Sequence, residues 1–255
     1  MRVLGVIPAR YESSRFPGKP LVDIGGKSMI QRVYEQCKKT SVLTDVVVAT
    51  DDQRIMDHVI KFGGRAMMTS SSHESGTQRC GEVLFNLEDE GEEYDVLVNI
   101  QGDEPFIDPS QIEKVVAVFE DDPSSEVATL AKKIESKEEL FSPHVVKVVM
   151  TEVEEDEISR DALYFSRSTI PFLRDLPQED WLKKHDFYKH IGIYAFSVEE
   201  LHHILQLEPS ELEKNEGLEQ LRWLANHFTI QVAETEIETI GIDTPEDIEK
   251  ALSLI

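Results

Sequence analysis

Short apolar runs rich in β-branched residues alternate with amphipathic segments along the first half of this chain. The runs read "VLGVI", "DVVVAT", "DVLVNI" and "EVATLA". The segments between them repeat apolar residues at helical spacing, as in "KSMIQRVYEQCKKT", where Ser28 is placed to cap a helix. Such strands usually form a parallel sheet covered on both faces, with ligands at the carboxyl ends of the strands. Functional residues are therefore expected in the loops that follow the strands.

The pattern changes from residue 145 onward. "VVKVVMTE", "ALYFSRST" and "FYKHIGIYAF" are predicted as consecutive strands, with turns and no helix between them. The chain then returns to a helix in "LEQLRWLANH", a strand in "FTIQVAET" and a closing helix in "TPEDIEKALSLI". We predict an α/β fold in a single domain, residues 1–255, with an antiparallel lobe at residues 145–200.

Composition narrows the classes of function. The 26 Lys and Arg residues face 50 Asp and Glu residues, and a net charge of -24 argues against a general nucleic-acid binder. Cys37 and Cys80 stand in predicted helices without a Cys or His partner nearby, which indicates buried, reduced thiols. Neither a membrane-spanning run nor a signal-peptide pattern is present. We expect a soluble, cytoplasmic protein that holds any phosphate-bearing ligand by local chemistry or metal ions.

Positive charge gathers in the loop after the first predicted strand. This loop, "IPARYESSRFPGKPL", contains Arg10, Arg15 and Lys19 against a single acid, and its prolines and glycine make it angular. Such a loop can aim cationic side chains and backbone N–H groups at a nucleotide triphosphate, and a solvated turn is the alternative. A Walker loop is excluded because Leu21 stands where its first glycine is required. No G-x-G-x-x-G follows the strand either, which argues against a nicotinamide dinucleotide.

Two aspartates stand where predicted strands end. Asp103 lies in "NIQGDEP", and its carboxylate is expected to project from the carboxyl edge of the sheet. Carboxylates there commonly bind Mg²⁺, which takes its other ligands from water and substrate phosphates. Asp243 in "GIDTPEDI" has the same setting, although an ordinary helix cap is its alternative. The pair predicts a magnesium site.

Several further polar residues have two possible roles each. In "HESGTQR", Ser75 could contact a ligand or cap the following helix, and His73 is expected to hydrogen-bond rather than bind a metal. Arg167 is predicted on an otherwise apolar strand and is costly to bury there unless it faces an anion such as a carboxylated substrate; an edge-strand arginine facing water is the alternative. No nucleophile elbow and no Cys/His pairing is present, which disfavours a nucleophilic hydrolase.

Taken together, these stretches closely resemble the 3-deoxy-manno-octulosonate cytidylyltransferases, also called CMP-Kdo synthetases. The resemblance covers nearly the whole chain and rests on nine stretches in the family's order: "IPARYESSRFPGKPL", "VATDD", "HESGTQR", "NIQGDEP", "VKVV", "ALYFSRSTIPF", "HIGIYAF", "LEQLR" and "DTPEDIEKA". The chain departs from the family in "GKSM", where Gly-Lys-Pro-Met is frequent. The segments at 152–161 and 175–186 look longer than usual, which bears on the rim of the lobe or of the sugar pocket.

The resemblance implies both a fold and a reaction. The fold would be of the nucleotide-diphospho-sugar transferase type, a Rossmann-like, mostly parallel sheet with helices on both faces and an antiparallel extension for dimerisation and sugar binding. The reaction would transfer CMP from CTP to 3-deoxy-D-manno-octulosonate (Kdo), release pyrophosphate, use Mg²⁺ and serve lipopolysaccharide biosynthesis. A homodimer is implied as well.

The resemblance also implies roles for individual residues. The nucleotide would be bound by Pro8, Ala9, Arg10, Lys19 and Gln101. The metal ligands would be Asp103 and Asp243, which with Arg10 and Lys19 make up the catalytic set. The sugar pocket would be lined by Ser75, Arg167, His190, Tyr194, Glu219 and Gln220. Activation of 8-amino-Kdo or sialic acid, or a silent nucleotide-sensing module, remain as alternatives.

Overall fold

The computed structural model describes residues 1–12, 16–152, 157–238, 241–242 and 244–252. The chain divides into two compact units. We call residues Met1–Val116 with Thr239–Ile255 the N-terminal unit, and residues Ala117–Glu238 the central unit. The single-domain arrangement with an antiparallel lobe stays a prediction.

Four parallel strands lie in the described residues of the N-terminal unit. They are β1 (Val3–Ala9), β2 (Asp45–Thr50), β3 (Ala66–Met68) and β4 (Val96–Asn99), in the order β3-β2-β1-β4. Apart from β3, these strands are buried along nearly their whole length, which is the pattern of parallel strands enclosed on both faces. The prediction of parallel strands alternating with helices is therefore confirmed for this unit.

Helices follow these strands where capping residues allow them to begin. They are α1 (Met29–Cys37), α2 (Gln53–Lys61), α3 (Gly76–Asp89) and α4 (Pro109–Asp121), of which residues 109–116 belong to this unit. Ser28 caps α1 as predicted, because its side chain accepts a hydrogen bond from the N–H of Gln31. Past the end of α2, Gly63 adopts a φ of 86°, a conformation that favours glycine.

The central unit is built on five strands whose pairings form a closed ring. They are β5 (Val127–Lys133), β6 (Lys147–Met150), β7 (Ser159–Ser166), β8 (Tyr188–Ser197) and β9 (Ile230–Glu234), in the order β8-β5-β9-β7-β6, and β6 pairs again with β8. The β5–β9 pair is parallel, and the other pairs in this ring are antiparallel. The antiparallel strands predicted after residue 145 are confirmed as β6, β7 and β8.

The remaining helices are short. They are α5 (Lys137–Phe141), α6 (Trp181–Lys184), α7 (Val198–Ile204), α8 (Glu211–Glu216) and α9 (Gln220–Ala225) in the central unit, and α10 (Asp247–Leu252) in the N-terminal unit. The prediction of no helix between β7 and β8 is wrong, since α6 lies there. Trp181 anchors α6 in a buried cluster with Leu140 and Phe187, and four residues are too few to reveal helical periodicity.

The two cysteines and the lengths of the helices bear on two sequence predictions. Cys37 and Cys80 are both buried and stand outside any disulfide bond, as predicted, and burial raises the pKa of the Cys37 thiol to about 12. Among the helices of the described residues, none has the length and apolarity that crossing a bilayer requires.

Candidate functional site

The backbones at the carboxyl ends of β1 and β4 are in close contact. A Cβ added to Gly102 would lie 2.4 Å from the carbonyl oxygen of Pro8, so no side chain fits at this position. This contact sets Gln101 and Asp103, the neighbours of Gly102, beside the last residues of β1, Pro8 and Ala9. Four residues that the sequence assigned to the nucleotide and the metal therefore meet at one edge of the parallel sheet.

Lys19 joins this edge through its ammonium group. The chain turns at Gly18, with a φ of 74°, into a short 3₁₀ helix that begins at Lys19. Lys19 Nζ lies 2.9 Å from Asp103 Oδ2 and 2.8 Å from the carbonyl oxygen of Ile242. The lysine side chain is 15% exposed and the aspartate side chain 35%, so the carboxylate remains accessible to a ligand. Lys19, predicted to bind phosphate, and Asp103, predicted to bind the metal, are thus paired with each other.

The segment before Asp243 is tied to the same point. The N–H of Ile242 donates to the carbonyl oxygen of Asp103 over 2.9 Å, and the Ile242 side chain is fully buried with Ile24 and Met29. Asp243 itself lies outside the described residues, as does Arg15. The structure brings Lys19 and Asp103 together, and the metal-binding role of Asp243 stays a prediction.

The remaining nucleotide candidate, Arg10, directly follows β1 and is exposed. No group of three or more His, Cys, Asp or Glu side chains suited to a metal occurs within the described residues. Mg²⁺ needs only one or two protein carboxylates when water and substrate phosphates complete its shell. The accessible carboxylate of Asp103 fits that requirement.

The start of α3 packs onto this same edge. A Cβ at Gly76 would lie 3.4 Å from Asn99 Nδ2 and 3.5 Å from Pro8 Cγ. Ser75 caps the helix, because its side chain accepts a hydrogen bond from the N–H of Gln78 at 3.2 Å. The capping alternative for Ser75 is confirmed, and its contact with a sugar stays a prediction. His73 hydrogen-bonds the Glu82 carboxylate, which agrees with the predicted hydrogen-bonding role.

In the central unit, Arg167 follows β7 and faces backbone carbonyls. Its Nε donates to the Glu216 carbonyl oxygen over 2.7 Å, while Nη1 and Nη2 make longer bonds of 3.2 and 3.4 Å to the carbonyl oxygens of Pro143 and Gly217. Its backbone N–H donates to Glu216 Oε2 over 2.9 Å. The arginine is half-buried, and the two Nη bonds lie in exposed surroundings. One edge of the guanidinium is therefore fixed, and the outer edge is open to a ligand or to water.

Sequence reasoning missed the residue beneath Arg167. Lys147 on β6 is fully buried, and its Nζ donates to the carbonyl oxygens of Ser142, Val145 and Arg167 at 2.6 to 2.7 Å. Desolvation lowers the pKa of Lys147, and the three carbonyl oxygens bind its ammonium protons. The signal was a lone lysine in the apolar run "VKVV", where a surface position is the ordinary interpretation.

His190 lies on β8 in an aromatic environment. Its Nε2 is 2.9 Å from Thr129 Oγ1, and its ring centroid is 5.2 Å from those of both Phe165 and Tyr194. Burial lowers the pKa of His190 to about 3, so the imidazole is neutral at ordinary pH. It can therefore offer a hydrogen bond to a hydroxyl but not a positive charge to a carboxylate.

The other sugar candidates adjoin His190 along β8 and α9. The Tyr194 ring packs 5.0 Å from that of Trp223 on α9. Burial and the nearby charge of Glu219 raise the pKa of Tyr194, so its phenol keeps its proton. Gln220 begins α9 and is buried. Tyr194 and Glu219 are thus brought together, and His190 touches Tyr194.

Comparison with known proteins gives one consistent result. A family model described as cytidylyltransferase matches residues 4–240. Proteins named 3-deoxy-manno-octulosonate cytidylyltransferase from Parabacteroides distasonis and Bacteroides thetaiotaomicron are each 52% identical, over 100% and 98% of this chain and 98% and 97% of their own lengths. A solved structure of CMP:2-keto-3-deoxy-manno-octonic acid synthetase complexed with CTP superposes with a TM-score of 0.88 at 43% identity, covering 100% of this chain and 98% of that one.

Proposed function

The chain belongs to the 3-deoxy-manno-octulosonate cytidylyltransferases, and from this membership we propose that it converts Kdo and CTP to CMP-Kdo and pyrophosphate for lipopolysaccharide biosynthesis. The structural observation that carries the proposal is the contact of Lys19 with Asp103 and Ile242 at the carboxyl edge of the parallel strands. A cation and an accessible carboxylate at this edge are what a metal-bound triphosphate requires.

The reaction is an in-line displacement at the α-phosphorus of CTP. The anomeric oxygen of the sugar forms the new P–O bond and releases its hydroxyl proton to solvent, the bond to the bridging oxygen of the β-phosphate breaks, and pyrophosphate leaves. The nucleophile is a weak alcohol whose own carboxylate is repelled by the phosphates. The protein must therefore neutralise charge and align the two reactants.

Residues of the N-terminal unit supply that neutralisation. Arg10 and Lys19 bind phosphate oxygens, and Pro8, Ala9 and Gln101 seat the cytidine. Asp103 and Asp243 would hold Mg²⁺, which would withdraw charge from the phosphates. When the triphosphate binds, Lys19 would exchange its bond to Asp103 for one to a phosphate oxygen, which would free the Asp103 carboxylate.

Residues of the central unit bind the sugar. The outer edge of Arg167 pairs with the Kdo carboxylate, because a planar guanidinium accommodates a carboxylate with two hydrogen bonds. Neutral His190, protonated Tyr194, Glu219 and Gln220 contact the sugar hydroxyls. Support for this assignment comes from the carbonyl contacts that fix the inner edge of Arg167.

The remaining family features are part of the proposal. They comprise the Rossmann-like arrangement with its antiparallel extension, a homodimer formed through that extension, and a cytoplasmic location. The extension carries large exposed apolar side chains, Leu163 at 60% and Phe172 at 73% exposure, which supports burial of this surface in a dimer.

A pyrophosphate-release assay tests the reaction. The protein is incubated with CTP and Mg²⁺ and, in separate reactions, with Kdo, 8-amino-Kdo or sialic acid. We expect rapid release with Kdo and little with sialic acid. Binding of CTP without release in the presence of any of these sugars would contradict the proposal and favour a nucleotide-sensing module.

A further inference from the structure

A cation–ring contact joins the loop after β1 to the start of α2. The guanidinium carbon of Arg54 lies 3.3 Å from the centroid of the Tyr11 ring. Tyr11 directly follows Arg10, and Arg54 is the second residue of α2. A cation over the face of an aromatic ring is attracted by the ring's quadrupole. The contact therefore ties the cationic loop to a helix of the parallel-sheet layer.

The arginine of this contact is itself held in place. Arg54 Nε lies 2.9 Å from Asp52 Oδ1, and Arg54 Nη2 lies 2.6 Å from Asp52 Oδ2, which is a bidentate pair. Asp52 also caps α2, because its Oδ1 accepts a hydrogen bond from the backbone N–H of Arg54. Two charge-assisted bonds in a planar fork fix the orientation of the guanidinium more firmly than one bond would. Asp52 thus aims Arg54 at Tyr11.

The tyrosine is held at its other side by the end of the loop. The N–H of Gly18 donates to the carbonyl oxygen of Tyr11 over 2.8 Å. A Cβ built on Gly18 would lie 3.2 Å from both Cζ and Oη of the Tyr11 ring, and Gly18 has a φ of 74°. Both the close ring and the positive φ favour glycine here. Tyr11 therefore contacts the residue directly before Lys19 and directly follows Arg10.

We propose that Asp52, Arg54 and Tyr11 act together as positioning residues for the two cations that bind the triphosphate. The inference rests on the proposed function and deepens it. Tyr11 follows Arg10 in the chain and contacts Gly18, which precedes Lys19, so the Arg54 stack fixes the backbone next to both cations before CTP binds. A prearranged loop loses less conformational freedom when the ligand binds. The contact therefore strengthens CTP binding and leaves Kdo binding and the chemical step unchanged.

The test compares two variants that each remove an arginine from an aromatic ring. Arg54→Met removes the stack on Tyr11. Arg2→Met is the matched control, since the Arg2 guanidinium carbon lies 4.8 Å from the Tyr94 ring and Arg2 Nη2 bonds Glu92 at 2.8 Å. Arg2 precedes β1, at the opposite end of that strand from the loop. Steady-state kinetics give KM for CTP and for Kdo and kcat, and calorimetry gives the Kd for CTP.

We expect Arg54→Met to raise KM and Kd for CTP about two- to fivefold, the effect of a partly exposed cation–ring contact. KM for Kdo and kcat at saturating CTP should match those of the unaltered protein, and Arg2→Met should leave all of these values unchanged. Tyr11→Phe, which keeps the ring, should behave like the unaltered protein, and Tyr11→Leu should weaken CTP binding at least as much as Arg54→Met. Adding Arg54→Met to Tyr11→Leu should then cost nothing further, because the partner is already absent.

Two results would overturn the inference. One is an unaltered Kd for CTP in a folded Arg54→Met protein; the other is an equal loss in the Arg2→Met control, which would mark a general effect on stability. Failure of the proposed function is distinguishable, because the unaltered protein would then release no pyrophosphate from CTP and Kdo.

Discussion

The two units hold their functional cations in different ways. In the N-terminal unit, Lys19 is paired with the carboxylate of Asp103, and that carboxylate is about one-third exposed. In the central unit, Lys147 and the inner edge of Arg167 are surrounded by backbone carbonyl oxygens. The first arrangement joins opposite charges at an accessible edge, and the second joins charges to fixed dipoles of the main chain.

The two arrangements are suited to different roles: the ion pair can exchange its partners for a ligand, and the buried ammonium supports the structure. An accessible ion pair contributes little to stability, so a competing phosphate or metal ion can replace either partner at low cost. A buried ammonium bound by three carbonyl oxygens is costly to remove, because those part-buried oxygens lose a charged donor. We therefore expect substitutions in the N-terminal unit to alter ligand handling, and substitutions beneath Arg167 to alter stability as well.

The largest effect is expected for Asp103→Asn. Loss of the carboxylate should lower kcat by a factor of at least about 100 at unchanged unfolding temperature, because charge on the reacting phosphates is no longer neutralised. Pyrophosphate release and thermal unfolding measure the two quantities. Asp108→Asn is the matched control, since Asp108 caps α4 near the same loop and asparagine also caps helices. Turnover near the unaltered rate in Asp103→Asn would remove Asp103 from the site.

Lys147→Met tests the supporting role of the central unit. We expect the free energy of unfolding to fall by about 2 to 4 kcal/mol, since three part-buried carbonyl oxygens lose their hydrogen bond from Nζ. KM for Kdo should rise, because the Arg167 backbone loses its contact with Nζ, while the Kd for CTP stays constant. Urea unfolding and steady-state kinetics provide the measurements. A stable variant with unaltered sugar kinetics would show that the buried lysine supports neither the fold nor Arg167.

Lys19→Met tests the ion pair of the N-terminal unit. The Kd for CTP should rise by about tenfold, as expected when one charge-assisted bond to phosphate is lost. The free energy of unfolding should change by less than about 1 kcal/mol, because the Lys19 pair is a partly exposed ion pair. Calorimetry and urea unfolding measure these values. A loss of stability as large as that of Lys147→Met would erase the distinction between the two units.

The smallest effect concerns pH. The folded pKa of His190 is about 3, whereas an unfolded histidine has a pKa of about 6.5. Between these values the unfolded chain binds more protons, so His190 makes the protein less stable as pH falls below about 6.5. His190→Gln should therefore flatten the loss of stability between pH 6.5 and pH 4, measured by urea unfolding.

His203 provides a control of opposite sign. Its hydrogen bond to Glu200 raises its pKa, so its stabilising contribution is present at low pH and is lost as pH rises through the folded pKa. His203→Gln should thus slightly lower stability on the acid side. Equal acid sensitivity in His190→Gln and the unaltered protein would contradict the desolvated, neutral state of His190.

The sequence predicted residues that follow strands better than residues held by distant contacts. Asp103 and Lys19 could be placed near the same edge because parallel strands end together and their loops share that edge. The carbonyl oxygens around Arg167 could not be foreseen, since Glu216 and Gly217 lie about fifty residues away in the chain and belong to a short helix and its end. The Arg54 contact with Tyr11 was missed for the same reason, because neither residue belongs to a periodic pattern that points at the other.

Calorimetric titration of CTP with and without Mg²⁺ tests the central claim, that the Lys19 and Asp103 edge of the N-terminal unit binds a metal-bound triphosphate. For the unaltered protein, we expect Mg²⁺ to tighten CTP binding. For Asp103→Asn, this dependence on Mg²⁺ should disappear, while binding of metal-free CTP through Arg10 and Lys19 persists. An Asp103→Asn protein whose affinity for CTP still responds to Mg²⁺ as the unaltered protein does would contradict the account.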